Sequence, residues 1–225
     1  MVRKQCQVPK KVDNLDMRIV QLTPENLNES VRSAASVLRE GGVIIYPTDT
    51  LYGLGGDALS DDAYEKVCII KERDERRPIH AVFADLTMVA EYAEVNDVGR
   101  KLAAEFLPGP LTLIFNKKPH LLNGIARTLS TIGVRIPKNT FCLKLAREFG
   151  KPYTTTSANT SDTETPSTVA AIVKQLGERS AHVELAIDGG ILPANVRSTV
   201  VDVRDEPFII REGAIPVDAI MAVLP

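Results

Sequence analysis

Lysine and arginine are concentrated at positions 71–78, where the sequence reads KERDERRP. Cations held at fixed positions could bind the phosphates of a nucleoside triphosphate, and this basic stretch is the strongest candidate for that role in the chain. Three acidic side chains stand among the four cations, however, so the stretch carries a net charge of only +1. Mixed charges are also typical of a solvated helix end, where cations suit the helix dipole. The residue types alone favour the solvated interpretation.

Hydroxyl and amide side chains form a second candidate, in the sequence YTTTSANTS at 153–161. The segment follows a predicted strand and precedes a helix that Thr165 is predicted to cap. Hydroxyls beside the free N–H groups of a helix N-terminus could hold a phosphate or a ribose. A Ser/Thr-rich surface loop that only caps the helix is an equally good interpretation.

An arginine inside an apolar strand is the third candidate, namely Arg135 in the sequence GVRIP at 133–137. A buried guanidinium needs a partner, because an isolated buried charge is strongly unfavourable. The partner could be a ligand carboxylate or phosphate, which the planar guanidinium binds through two parallel hydrogen bonds. It could equally be an internal acid such as Asp188 or Asp202.

The common signatures of nucleotide and hydrolase sites are missing from the sequence. There is no GxxxxGK[ST] loop, no GxSxG elbow and no HExxH pair, and GLGG at 53–56 lacks the GxGxxG spacing. The three histidines and three cysteines are scattered, which predicts no metal held by protein side chains and a reducing, cytoplasmic location. A magnesium ion could still arrive on the phosphates of a nucleotide.

Length and composition limit what these candidates can be. The 225 residues, 44% hydrophobic and 25% charged, are enough for one substantial core. We predict a flexible N-terminal arm over residues 1–18 and a single domain over residues 19–225. The formal charge of -2 gives no global field for a polyanion, so any RNA contact would need a local patch. No apolar run approaches the ~18 residues that a membrane span needs.

Helical and strand patterns alternate along the chain, which predicts a layered α/β fold. The firmest local prediction is a helix over residues 24–40, with Thr23 as its N-cap and Pro24 in its first turn. Further helices are predicted at 61–70, in two short segments between 85 and 106, at 141–149, at 165–176 and at 218–223. Strands are predicted at 43–46, 79–83, 111–115, 133–137, 153–155, 184–188, 198–203 and 208–211. Because the late strands cluster, the sheet is predicted to be mixed rather than wholly parallel.

Seven short motifs follow one another along the chain in a fixed order. They are GVIIYPTDTLYGLG at 42–55, IKER with RPI at 70–79, LPGPLT at 107–112, GVRIP at 133–137, SAN at 157–159, STVVD at 198–202 and IREGAI at 210–215. Together they resemble the YrdC-type threonylcarbamoyl-AMP synthases, over about residues 19–215. The resemblance implies a twisted, open, mixed α/β sheet flanked by helices, with a concave electropositive face that holds the site.

The resemblance also implies an activity. An enzyme of this kind joins L-threonine, bicarbonate or CO2, and ATP into L-threonylcarbamoyl-AMP with release of pyrophosphate, and Mg²⁺ would accompany the ATP phosphates. A separate transferase complex would then move the threonylcarbamoyl group onto tRNA. An RNA-binding module without catalysis is the alternative, but the small net charge of the basic stretch speaks against it.

Site residues carry over from the resemblance by position. The ATP contacts fall on Lys71, Arg73, Arg77, Thr131, Ser157, Asn159, Thr165 and Arg211. The threonine contacts fall on Thr50, Arg135, Thr155 and Ser198. Lys71 and Arg73 are the expected catalytic residues, because fixed cations can stabilise the negative charge that develops on the α-phosphate without a protein nucleophile.

Several positions depart from the family pattern. Asp74 stands where many members have proline, and Val82 stands where some members have a histidine that contacts threonine. After the SAN motif, the sequence TSD at 160–162 replaces the usual LSG. The conformation of the loop after SAN therefore does not follow from the resemblance.

Overall fold

One mixed β-sheet of ten strands, with helices on both of its faces, makes up the part of the chain that can be described. In the computed structural model of the protein, this part comprises residues 17–74, 77–192 and 196–224. The strands are β1 (Arg18–Gln21), β2 (Ile44–Pro47), β3 (Tyr52–Gly55), β4 (His80–Val82), β5 (Leu111–Asn116), β6 (Thr131–Arg135), β7 (Tyr153–Ser157), β8 (Leu185–Asp188), β9 (Thr199–Asp202) and β10 (Phe208–Arg211).

The sheet runs in the order β1-β8-β2-β3-β7-β4-β6-β5-β9-β10. Strand β8 pairs in parallel with β1 and β2, and the pairs β4 with β6 and β5 with β9 are also parallel. The pairs β2 with β3, β3 with β7, β4 with β7, β5 with β6 and β9 with β10 are antiparallel. The prediction of a mixed sheet is therefore confirmed.

Seven α-helices cover the two faces within the described residues. They are α1 (Leu27–Arg39), α2 (Asp61–Lys71), α3 (Leu86–Tyr92), α4 (Asp97–Phe106), α5 (Thr140–Phe149), α6 (Val169–Leu176) and α7 (Val217–Met221), with short 3-10 helices at Gly124–Ala126 and Gly177–His182. Helices α1 and α5 bury Leu38 and Leu145 in one apolar cluster, and α2 and α6 bury Val67 and Ile172 in the other. None of the described helices is long and apolar enough to cross a membrane.

The start of α1 differs from its prediction. The helix begins at Leu27 rather than at Pro24, and Asn26 rather than Thr23 is the N-cap residue. The Asn26 carboxamide bends back to accept a hydrogen bond from the Thr23 backbone N–H at 2.9 Å. Residues 23–26 therefore form a turn ahead of the helix, which sequence signals for a helix start do not separate from the first helical turn.

Strands β1 and β3 were not predicted. In β3, Gly53 and Gly55 weaken the strand pattern, because glycine has low β propensity. Both glycines lie under the ring of Tyr46 on the neighbouring strand, and a Cβ atom on Gly53 would lie 2.7 Å from Tyr46 Cζ. In β1, Arg18 pairs with Leu185 of β8, so this residue belongs to the sheet and not to the predicted arm. Residues 1–16 of that arm lie outside the described residues.

Candidate active site

A cavity of about 210 Å³ opens on one face of the sheet. Five segments form its walls: the turn between β2 and β3, the connection from the basic stretch into β4, the end of β6, the end of β7, and the start of β9 with the end of β10. Its lining includes five arginines, namely Arg73, Arg77, Arg135, Arg197 and Arg211. Hydroxyl groups make up much of the remainder, and no carboxylate lies among the described lining residues. The cavity is therefore suited to an anionic ligand.

The turn after β2 presents two threonine hydroxyls to the cavity. Thr48 Oγ1 accepts hydrogen bonds from the backbone N–H groups of Thr50 and Leu51, at 3.0 and 3.1 Å, and lies 3.1 Å from Thr50 Oγ1. Thr48 and Thr50 are both buried apart from their cavity side, with exposures of 7% and 8%. The turn is therefore held in one conformation by its own side chains.

Arg135 ends β6 at the bottom of the cavity and is 6% exposed. Its Nη2 donates to Asp49 Oδ1 at 2.6 Å, and Asp49 Oδ2 accepts from the Lys138 backbone N–H at 3.0 Å. The Arg135 Nε–H is buried and has no partner among the described residues. Arg135 is therefore paired with an internal acid, as one of the two interpretations from the sequence held, and its contact with a ligand stays a prediction.

The internal acids that the sequence suggested for Arg135 are bound elsewhere. Asp188 Oδ1 accepts from the Tyr52 hydroxyl at 3.1 Å. Asp202 forms an ion pair with Arg204 at 2.7 Å. The acid that pairs with Arg135 is Asp49, which lies on the turn next to Thr50 and reaches Arg135 only through the folding of the sheet.

The opposite wall is formed by Ser198 and Arg211. Ser198 Oγ lies 2.9 Å from the Thr112 hydroxyl, and the Ser198 carbonyl accepts from Arg211 Nη2 at 2.9 Å. Ser198 is 5% exposed. Burial, and after it the charges of Arg197 and Arg135, lower the pKa of Arg211. A cluster of cations thus lies at this wall.

Lys71 does not line the cavity, although it was predicted to contact ATP and to act in catalysis. Its side chain is 1% exposed, and its Nζ donates to the carbonyls of Ser157 and Asn159 and to Asn159 Oδ1, all within 2.9 Å. Burial, and after it the charges of Arg73 and Arg197, lower the pKa of Lys71 to about 7. The ammonium group has only three N–H donors, so in this arrangement all of them hold the loop that follows β7.

The same loop is fixed from its own side. Ser157 Oγ lies on the cavity wall and donates to Asn159 Oδ1 at 2.7 Å, while the Asn159 amide donates to the Thr163 carbonyl at 2.6 Å. Asn159 is 2% exposed and lies behind the wall rather than on it. Lys71 and Asn159 thus fix the loop that carries Ser157, and neither of them lines the cavity, so their contact with ATP stays a prediction.

The basic stretch places two arginines on the rim of the cavity. Arg73 Nη2 donates to the Pro78 carbonyl at 2.7 Å. Arg77 forms a bidentate ion pair with Asp162. Its Nη1 donates to Oδ2 at 2.9 Å and its Nη2 donates to Oδ1 at 3.0 Å, although both side chains are largely exposed. Asp162 lies in the left-handed region with φ of 62°, so this residue of the TSD segment adopts a backbone conformation that glycine would adopt without strain. Glu75 and Arg76 lie outside the described residues.

Two predicted ATP contacts lie away from the cavity. Thr131 is on the same face of β6 as Arg135 but at the other end of the strand, opposite Asn116 of β5. Thr165 is 5% exposed, and its hydroxyl has no partner among the described residues. Thr165 also does not cap α6, because Thr168 is the N-cap residue and its hydroxyl accepts from the Ala171 N–H at 3.3 Å.

The eight remaining predicted residues are brought together on the cavity wall. They are Thr50, Arg73, Arg77, Arg135, Thr155, Ser157, Ser198 and Arg211. Residues more than 150 positions apart in the sequence thus meet at one face of the sheet.

Nine lining residues were not named as site residues by the sequence analysis. Seven of them lie within the motifs or the candidate segments, whereas His80 and Arg197 lie outside both. The His80 ring packs against Gly133, where a Cβ atom would be 2.3 Å from His80 Cδ2. Burial, and after it the charges of Arg211 and Arg135, lower the pKa of His80 to about 3, so the imidazole is neutral at physiological pH. The sequence did hold a signal for His80. Val82 stands where some members have a histidine that contacts threonine, and His80, two residues earlier, lies on the same face of the strand.

No group of three or more histidine, cysteine, aspartate or glutamate side chains that could hold a metal ion occurs within residues 17–74, 77–192 and 196–224.

The Sua5/YciO/YrdC family model, whose description reads "telomere recombination", matches residues 36–213. A putative threonylcarbamoyl-AMP synthase of Methanocaldococcus jannaschii is 36% identical over 205 residues, which are 91% of this chain and 95% of that protein. The threonylcarbamoyl-AMP synthase of Pyrococcus abyssi is 33% identical over 92% of this chain, but the match spans only 61% of the relative's length.

Solved structures give a matching result. The crystal structure of P. abyssi Sua5 complexed with L-threonine superimposes with a TM-score of 0.84 and 31% identity, over 93% of this chain and 61% of that one. The crystal structure of Escherichia coli YciO gives a TM-score of 0.77 and 29% identity, over 91% of this chain and 98% of that one. The similarity thus covers the strands and helices that build the cavity.

Proposed function

This chain belongs to the Sua5/YciO/YrdC family, and from that premise we propose that it is a threonylcarbamoyl-AMP synthase. The enzyme condenses L-threonine with bicarbonate or CO2 and transfers the AMP moiety of ATP to the resulting carbamate, releasing pyrophosphate. The observation that carries the proposal is the cavity itself, in which five arginines face a turn of threonine hydroxyls without a lining carboxylate. ATP and threonine both bring negatively charged groups to such a cavity, ATP its phosphates and threonine its carboxylate.

Threonine binds at the buried end of the cavity. Arg135 is oriented by Asp49 and has a buried Nε–H to spare, so its guanidinium can take the threonine carboxylate by a charge-assisted hydrogen bond. The hydroxyls of Thr50, Thr155 and Ser198 surround the same space. They can bind the threonine side-chain hydroxyl and its amine, which apolar walls could not do.

ATP binds toward the open side, where Arg73, Arg77 and Arg211 present guanidinium groups and Ser157 presents a hydroxyl. Thr131 lies on the same face of the sheet beyond Gly133, where the nucleoside would extend from the phosphates. Thr165 also remains a candidate ATP contact, because its buried hydroxyl has no hydrogen-bond partner among the described residues. Mg²⁺ would be carried by the ATP phosphates and would neutralise part of their charge, since the described cavity lining offers it no carboxylate.

The chemistry needs positioning and charge stabilisation rather than a protein nucleophile. The threonine amine adds to CO2 and loses a proton to give a carbamate. A carbamate oxygen then attacks the α-phosphorus, and the bond to the β-phosphate oxygen breaks as pyrophosphate leaves in line. Negative charge spreads over the phosphate oxygens in this step, and we assign Arg73 as the catalytic cation that stabilises it.

Lys71 contributes through the loop that it holds. The three hydrogen bonds from its ammonium to Ser157 and Asn159 fix the Ser157 hydroxyl on the cavity wall. We therefore assign Lys71 and Asn159 as positioning residues for the nucleotide. Direct contact of Lys71 with a phosphate stays a prediction that this arrangement does not favour.

The biological setting follows from the product. L-threonylcarbamoyl-AMP is a reactive mixed anhydride, so a transferase that acts on tRNA must consume it. Cys68 and Cys142 are buried and are not in a disulfide, which supports a cytoplasmic location for both steps. The chain spans 61% of the P. abyssi synthase and 56% of the Bacillus subtilis synthase that it matches.

Pyrophosphate release tests the proposal. With ATP present, release should require both L-threonine and bicarbonate, and mass spectrometry should detect the threonylcarbamoyl adenylate. Equal release without threonine would contradict the proposed reaction. Release that depends on threonine but gives only a threonyl adenylate would contradict the carbamoylation step.

A further inference from the structure

Arg197 lines the cavity but was assigned no role by the sequence or by the family resemblance. It stands directly before Ser198, on the connection that leads into β9, and its side chain is exposed. The buried residues Thr50, Arg135 and Ser198 lie at the inner end of the cavity. Arg197 therefore marks the open mouth.

The backbone of Arg197 is held firmly. Its carbonyl accepts from the Ala214 N–H at 2.9 Å. Gly213 approaches so closely that a Cβ atom there would lie 2.2 Å from the Arg197 carbonyl oxygen. Arg211 binds the carbonyl of the next residue, Ser198. The segment after β10 thus fixes the point from which the Arg197 side chain extends.

The guanidinium of Arg197, by contrast, has no hydrogen bond or ion pair within the described part of the chain. The other arginines on the wall all have one: Arg73 to the Pro78 carbonyl, Arg77 to Asp162, Arg135 to Asp49 and Arg211 to the Ser198 carbonyl. The backbone of Arg197 is thus fixed, whereas the five N–H donors of its guanidinium are unused within the described residues.

Arg197 also repels its neighbours. Its charge is among the causes, after burial, that lower the pKa values of Lys71 and Arg211. It is therefore close to both the wall behind Ser157 and the wall of Arg211. Like charges gathered around a cavity disfavour one another in the absence of a ligand, and an anion between them removes that repulsion.

We infer that Arg197 binds the distal phosphates of the nucleotide and the pyrophosphate that leaves. This inference rests on the proposed function. The acceptor carbamate and the α-phosphate must lie next to Arg135 and the buried hydroxyls, so the β- and γ-phosphates extend toward the exposed mouth, where Arg197 stands. The guanidinium matches phosphate through two parallel hydrogen bonds.

Binding measured without turnover tests the inference. Isothermal titration of the full chain with ATP, AMP, inorganic pyrophosphate and L-threonine would compare the wild type, Arg197→Ala, Arg197→Lys and the control Arg100→Ala. Arg100 is also an exposed arginine, on α4, and lies outside the cavity. Thermal unfolding of each variant would verify that the fold is retained.

Arg197→Ala should weaken ATP and pyrophosphate binding by roughly 10- to 150-fold, the range for a lost charge-assisted hydrogen bond. AMP and threonine binding should change by less than about 3-fold, Arg197→Lys should be intermediate, and Arg100→Ala should match the wild type. Equal losses for AMP and ATP would overturn the assignment to the distal phosphates, as would unchanged ATP binding. A wild-type chain that binds no ATP would overturn the proposed function itself, which is a separate outcome.

Discussion

The two ends of the cavity are built in different ways. At the inner end, Thr50, Arg135 and Ser198 are buried, and each is held by a neighbour, through Thr48, Asp49 and Thr112 respectively. At the outer end, Arg77 and Arg197 are exposed, and the ion pair of Arg77 with Asp162 is solvated. Buried, paired groups keep one geometry, whereas exposed ion pairs exchange readily with a ligand.

This difference matches the demands of the two substrates. Threonine must be distinguished from other amino acids by a few fixed polar groups, and a rigid inner end provides them. The phosphates of ATP need many cations but tolerate some movement, since pyrophosphate must also leave. We therefore expect changes at the inner end to reduce both stability and selectivity, and changes at the outer end to alter nucleotide affinity alone.

The largest effect is expected for Arg135→Ala. Its side chain and that of Asp49 are only 7% and 9% exposed, and removing one partner of a buried pair destabilises by about 3 to 5 kcal/mol. Use of threonine should fall roughly 10- to 150-fold in kcat/KM beyond any loss for ATP, because a charge-assisted bond is lost. Steady-state kinetics with each substrate varied, together with urea unfolding, measure both effects.

A double variant separates the two roles of Arg135. Asp49→Asn combined with Arg135→Ala leaves no unpaired charge, so stability should recover in part while threonine use stays impaired. If the losses for threonine and ATP are equal in Arg135→Ala, then Arg135 is structural and the inner end is not the threonine site.

Gly133→Ala should have the next largest effect. The new Cβ atom would lie 2.3 Å from His80 Cδ2, so the ring must move into the cavity or the strands must separate. Overpacking of this kind destabilises by about 1 to 3 kcal/mol. Thermal unfolding and threonine titration would detect either response. Adding His80→Ala should restore the unfolding temperature, and failure of this rescue would show that the contact with His80 is not the limiting one.

Lys71, behind the outer end, should make stability depend on pH. The pKa of Lys71 in the folded protein, about 7, lies below the ordinary lysine pKa of 10.5, so between these values the unfolded state binds the extra proton. Its contribution to the free energy of unfolding therefore increases with pH across this window, by at most about 1.4 kcal/mol per pH unit, and is lost as pH falls through 7. Urea unfolding at several pH values should show a shallower rise for Lys71→Met than for the surface control Lys101→Met. Parallel curves for the two variants would contradict the assignment.

The smallest effect is expected for Asp162→Gly, at the outer end. Glycine relieves the left-handed backbone at this position, and the lost ion pair is exposed, so the two effects nearly cancel and the stability should match that of the wild type. Release of Arg77 should lower the KM for ATP a few-fold without changing that for threonine. Asp162→Asn removes the charge but tolerates the same φ, and it should reproduce the kinetic effect. A higher KM for ATP in both variants would mean that Asp162 orients Arg77 rather than competing for it.

Local signals in the sequence predicted the elements that depend on local interactions. Helix α2 begins after Ser60, whose hydroxyl accepts from the Ala63 N–H, and α5 ends at Gly150 in the left-handed conformation, as their sequences indicated. Strand β3 was missed because its glycines are required by the ring of Tyr46 on the next strand, which no local pattern reveals.

In the candidate site, too, some features have local sequence signals and others depend on residues far away in the sequence. The types of the cavity residues were predictable from motifs, but their partners were not. Asp49 reaches Arg135 across the sheet, and Lys71 turns inward to the loop after β7. Arg197 directly precedes the STVVD motif but is not part of it, so only its place on the wall makes it a candidate. The partner of a buried side chain depends on long-range packing. The sequence analysis had therefore suggested Asp188 or Asp202 as the partner of Arg135, and not Asp49.

The order of the strands along the chain also determines when the cavity can form during synthesis. Its inner turn joins β2 to β3 near one end of the sequence, whereas Ser198 and Arg211 belong to the last strands, and β9 docks against β5. During synthesis on the ribosome, a nascent chain that has emerged only as far as β8 would present the threonine turn without the wall opposite, and β5 would have an unpaired edge. Such long-range pairing is slow and leaves the edge open to aggregation. The cavity should therefore be complete, and the edge of β5 protected from wrong pairing, only after β9 and β10 have emerged.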